Sequence, residues 1–155
     1  MKIGIDISAA VYGTGVSDYV IGLVSHLPQD DLVLWGGSLR RGSDLKTLFP
    51  KAKLSLLPPS VAHWLWNVVH TFPVENLVGN IDIWHSSDWA QPPSQAKKVT
   101  TVHDLSPFLY PGEMDAKIVT VHKLRMKWVV KECDQIICVS QNTAADLKRL
   151  FSVSD

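Results

Sequence analysis

Three short stretches of this 155-residue chain carry residue types that can do chemistry. His103-Asp104 follows an apolar run and precedes Pro107. An imidazole in that position can donate a hydrogen bond to a hydroxyl or to a charged intermediate, although neighbouring backbone could equally satisfy it. His85-Ser86-Ser87-Asp88 closes a second apolar run, and its two serines give His85 local partners. Residue types alone would allow zinc on His85, His103 and Asp88, but no short-range ligand pair supports it, and no metal is expected.

The third stretch is Tyr12-Gly13-Thr14-Gly15-Val16-Ser17-Asp18. Glycines there let backbone approach an anion closely, and a following helix would aim its N–H groups at it. A tight turn explains the same glycines without any ligand. No Gly-Lys-Ser/Thr follows, so this is not a Walker loop, and Asp18 occupies the third-glycine position of the dinucleotide fingerprint. Asp18 is read as a cap of the helix that follows. Ser140 lies in no Gly-x-Ser-x-Gly elbow, which removes a serine hydrolase; it is read as the cap of the last helix.

These residues need elements to hold them. Short β-branched runs alternate with helical patterns along the whole chain, the signature of a parallel sheet with crossover helices. Strands are expected at residues 2–8, 32–35, 54–57, 81–85, 99–103 and 135–139. Helices are expected at residues 17–27, 44–49, 61–70, 114–132 and 142–151. The expected fold is therefore α/β, an open parallel sheet with helices on both faces. In such sheets ligands bind beyond the carboxyl ends of the strands. The polar residues after strands one, four, five and six all fall there.

Composition narrows the function classes. The formal net charge is zero, which gives no support to nucleic-acid binding. Cys133 and Cys138 fit neither a redox pair nor a zinc set and are read as two free thiols. Met1-Lys2 is followed almost at once by Asp6, so the N-terminus is not read as a signal peptide, and a cytoplasmic protein is expected. Trp64, Leu65, Trp66, Val68 and Val69 crowd one segment. Burial between layers is the expected explanation and an interfacial membrane contact the alternative. Lys123, Lys127 and Lys131 form an i, i+4 stripe read as a solvated face, the alternative being an anionic lipid or acceptor phosphate.

Taken in order, Gly13-Thr14-Gly15, Asp82-Ile83-Trp84-His85-Ser86, Thr101-Val102-His103-Asp104-Leu105-Ser106-Pro107, Tyr110-Pro111 and Cys138-Val139-Ser140-Gln141-Asn142-Thr143 resemble the retaining family-4 glycosyltransferases. The likeness covers residues 2–151 and looks strongest toward mannosyltransferase-like members that build bacterial surface polysaccharides. It implies a Rossmann-like lobe, one half of a GT-B architecture, with residues 1–155 as the N-terminal, acceptor-side domain. A C-terminal nucleotide-sugar lobe would lie beyond this chain, and the isolated domain would be inactive.

The resemblance further implies that Gly13, Thr14 and Gly15 approach the donor diphosphate and that His103 contacts the donor sugar near the reacting carbon. His85, Ser86, Asp104 and Ser140 would line the cleft, with Asp104 orienting its loop. No cofactor or metal is implied; a nucleotide-diphosphate sugar is the co-substrate. The implied partners are a glycan or lipid-linked acceptor and the C-terminal lobe, with a peripheral contact at the inner face of the plasma membrane and no nucleic acid. Two rivals stand beside this reading: a non-catalytic glycan- or nucleotide-binding module working with a partner chain, and a Rossmann dehydrogenase.

Overall fold

The computed structural model describes residues 1–154. Six strands form one parallel sheet: β1 (Ile3–Asp6), β2 (Leu32–Gly37), β3 (Lys53–Ser55), β4 (Ile83–Ser86), β5 (Lys97–Val102) and β6 (Gln135–Cys138), in the order β3-β2-β1-β4-β5-β6. All pairings are parallel, and β1 lies between β2 and β4 with Ile5 opposite Leu34 and His85. This is the Rossmann-like strand order. The connections reverse direction at β1 and β4, which opens a crevice beyond their carboxyl ends.

The alternation along β2 shows how both faces are covered. Leu32 and Leu34 pack toward Val20, Val24 and Leu45 of α1 (Gly15–His26) and α2 (Gly42–Leu48). Val33 and Trp35 pack on the opposite face against Ala62 of α3 (Pro59–His63), Trp66, and Val78 of α4 (Glu75–Val78). Gly4 makes room for that second layer, because a Cβ there would stand 2.7 Å from the Trp84 indole. Beyond β5, α5 (Ser106–Leu109), α6 (Ala116–Glu132) and α7 (Gln141–Phe151) close a third core around Val102, Met126, Val129 and Leu147.

All six expected strands form, with ends shifted by at most two residues. The helix expected at residues 61–70 does not form as one piece. It begins at Pro59, where a proline needs no N–H partner, and passes at Trp64–Val68 into a π-helical turn. His70 and Phe72 then take positive φ angles, which ends the segment. The wider turn buries Trp66 and Asn67 while Trp64 stays 54 % exposed, as do Val68 and Val69 to nearly the same degree. Burial between layers therefore holds for only part of this cluster. Lys123, Lys127 and Lys131 are exposed, with Lys127 and Lys131 set over the Trp128 ring. Both cysteines are free thiols. No helix among the described residues is long and apolar enough to cross a membrane.

Candidate functional site

The first wall of the crevice is the β1–α1 connection. Gly13 has φ +67°, a left-handed conformation that a Cβ would strain, and a Cβ built on Gly13 or Gly15 would meet nothing within 4 Å. The turn explains Gly13; no packing within this domain explains Gly15. Thr14, rather than Asp18, caps α1: its side chain accepts from Ser17 N, and the Ser17 hydroxyl oxygen accepts from Thr14 N at 3.1 Å. The cap moves because Thr14 has extended dihedrals and the helix starts two residues before the position expected from its apolar pattern. By helix geometry the Gly15 and Val16 N–H groups then have no intrahelical acceptor, so this exposed end is electropositive.

The second wall carries the histidines. His103, half-buried just past β5, packs its ring edge-to-face on Tyr19 of α1, with centroids 4.9 Å apart. The Tyr19 hydroxyl lies 2.7 Å from Thr101 Oγ1, which in turn lies 3.0 Å from His85 Nε2. Below them Arg125 of α6 is buried, donating from Nη2 to Thr100 Oγ1 at 2.5 Å and to the Thr101 carbonyl at 3.3 Å. No carboxylate among the described residues forms a salt bridge with it. Burial pushes the Arg125 guanidinium down from its usual value, with the Asp88 and Cys133 charges opposing.

Electrostatics keep both imidazoles neutral at ordinary pH. Burial is the main cause of a His85 pKa lowered to about 4, and the charges of Arg125 and His103 add to it. Burial also lowers His103; Asp88 opposes, Arg125 reinforces, and Asp104 opposes. A neutral imidazole can donate one hydrogen bond or accept one without placing charge at a reacting centre. His103 retains that freedom because its ring nitrogens make no hydrogen bond to the described residues, whereas His85 is taken up by Thr101.

The other expected site residues divide in the same way. Ser86 is buried, donates to Gln91 Oε1 at 2.5 Å and lines the small recess that also holds His85 and His103. Asp104 accepts from Ser106 N at 2.8 Å, a local turn that orients its loop. Ser140 caps α7 by accepting from Thr143 N at 3.0 Å, and Thr143 Oγ1 lies 3.5 Å from the His103 carbonyl oxygen. The last helix is thereby tied to the segment that holds the histidine.

On the side of the β1–α1 connection away from the histidines lies an open cavity of about 490 Å³. Its walls come from the β1–α1 connection, the ends of β2 and β4, and the α3–π segment, with Trp35, Trp66 and Trp89 contributing indoles. Asp6, Ser87 and Asp88 line it and also line a small recess that contains Tyr19, His85, Thr101 and His103. Asp88 further borders a recess with His103, His122 and Arg125. The carboxylates are therefore the seam between cavity and histidine. Asp6 is buried, which raises its pKa despite the hydrogen bonds around Ser8 and Ser87 that work the other way.

Sequence reasoning missed Asp6, Tyr19, Thr101 and Arg125. Asp6 closes the first strand, where the rule that placed the other residues would have found it. Tyr19, one turn into α1, and Arg125, mid-helix and far in sequence, gave no such signal. Among the described residues no group of three or more His, Cys, Asp or Glu side chains could hold a metal ion.

A search among curated proteins and another among solved structures found no match to the chain. The family model for Glycosyltransferase Family 4 matches residues 13–155, from the glycine turn onward. With nearly all of its length covered and a sheet consistent with one half of a GT-B fold, the chain belongs to glycosyltransferase family 4.

Proposed function

We propose that this domain forms the acceptor side of a retaining glycosyltransferase, moving a mannose-like sugar from a nucleotide diphosphate to a glycan or lipid-linked acceptor in surface polysaccharide synthesis. The observation that carries the reading is the single rim shared by the Gly13–Gly15 turn and His103. Tyr19 of α1 touches the imidazole, and Asp6 and Asp88 line both cavity and histidine recess.

In this reading the acceptor hydroxyl comes from the cavity side. The bond between the anomeric carbon and the diphosphate oxygen breaks, and its electron pair leaves with the diphosphate. The acceptor oxygen bonds to the same face of that carbon, and its proton passes to a diphosphate oxygen. The electropositive end of α1 faces the departing anion, and further cations come from a second lobe. His103, held neutral by burial, donates a hydrogen bond to the donor sugar without repelling the positive charge that develops at the anomeric carbon. No metal or cofactor is required. Val61, Trp64 and Val68, exposed beside the cavity, support a peripheral membrane contact on the cytoplasmic side.

The test is transfer by the full-length gene product from a panel of GDP- and UDP-sugars. His103→Ala is expected to lower turnover by roughly 100-fold or more while circular dichroism is unchanged. Unchanged turnover would remove His103 from the mechanism. Absence of transfer from every donor would leave the domain a binding module.

A further inference from the structure

We infer that the acceptor is an amphiphile: an aromatic or alkyl body fills the tryptophan-lined cavity, and a hydroxyl-bearing head meets Asp6 and Asp88. This rests on the glycosyl-transfer reading and narrows its acceptor class.

The cavity is within the roughly 300–1,000 Å³ range of small-molecule sites, and it lies at the topological switch point between β1 and β4. Its walls are strongly one-sided in character. Tyr12, Val16, Leu57, Pro59 and Trp89 offer accessible carbon surface over the buried Trp35 and Trp66, while Asp6, Ser87 and Asp88 gather at the end shared with the histidine recess. A sugar chain, polar on every side, would leave most of its hydroxyls against carbon with nothing to bond, which opposes binding. An apolar body gains from the same walls.

The polar end also fixes orientation. Asp6 and Asp88 accept hydrogen bonds when ionised, so they select a hydroxyl-bearing head and turn it toward His103. An apolar side chain inserted from a second lobe is the competing occupant, and it would block saturable binding of small amphiphiles.

The test uses hexyl β-D-glucopyranoside and methyl β-D-glucopyranoside as probes, titrated calorimetrically into the full-length protein below micelle-forming concentrations. The hexyl glycoside is expected to bind at least about tenfold more tightly, a low threshold for burying five additional carbons. Ala62→Phe, which fills the cavity, should reduce that advantage to within about twofold; Ala90→Leu is the second filling variant if the first fails to fold. Tryptophan emission on wild-type protein locates binding independently of either variant, with a shift expected only for the hexyl glycoside. Equal affinities for the two probes, or a preference that survives filling, would overturn the inference. Donor turnover, measured in parallel, separates the two claims. A cavity-dependent hexyl preference without transfer from any donor sinks the enzyme reading and keeps this one. Transfer to methyl and hexyl glycosides with equal efficiency, unaffected by filling, does the reverse.

Discussion

The two flanks of the β1–β4 crevice are built on opposite principles. On the β2 side three indoles meet: Trp66 lies 5.5 Å from Trp35, and Trp84 lies 6.4 Å from it, with little hydrogen bonding among them. On the β5 side small polar groups are linked in series, from Arg125 through Thr101 to His85 and Tyr19. The first arrangement is held by area removed from water and tolerates an empty cavity at its edge. The second is held by directional bonds in a low-dielectric setting, where each orphaned partner is costly. One flank is suited to accommodate a shape, the other to hold an imidazole in one place and one charge state.

That contrast can be broken by mutation. Trp66→Ala should be the most destabilising change, by about 4 kcal/mol in urea denaturation, because a fully buried ring and its bond to the Phe72 carbonyl are lost together. A cost below about 1 kcal/mol would mean that the apolar flank does not hold the fold.

The polar flank makes a pH prediction. His85 titrates near 6.5 when unfolded and at about 4 when folded, so the unfolded chain takes up a proton first as pH falls. Its neutral form therefore contributes stability that is present above pH 6.5 and lost on the way to pH 4, about 3 kcal/mol in all. Stability curves of His85→Gln across that window should be flatter than wild type by that amount; parallel curves would show that His85 is not the sensor.

The smallest effect belongs to the seam. Burial raises the Asp6 pKa above its usual 3.8, so ionised Asp6 costs stability at neutral pH. Asp6→Asn should stabilise the domain at pH 7, and the gain should vanish as acid protonates the wild-type carboxyl. A loss of stability at pH 7 would show instead that the charge is needed where it stands.

Much of this fold was legible because parallel strands buried on both faces read as short apolar runs, and all six could be placed. The strand-end rule likewise gathered His85, His103 and the glycine turn. It could not rank them, since the partner that occupies His85 is Thr101 on the neighbouring strand, a relation created by sheet register. The cavity was illegible for a similar reason. Its tryptophans come from residues 35, 66 and 89, and only the π-helical turn after α3 decides that Trp66 points inward while Trp64 does not.

The central position of β1 has a consequence for how the chain acquires its shape. Its partner on one side, β2, is close in sequence, but its register with β4 joins Ile3 to Ile83, and Lys2 N bonds to Asp82 across a separation of 80 residues. During synthesis one edge of β1 must wait, unzipped, until β4 has emerged. Loop closure over that span is slow compared with local pairing. The crevice thus cannot form before β4 has emerged, and a nascent chain halted before β4 would offer a bare apolar strand edge to chaperones or to other copies of itself.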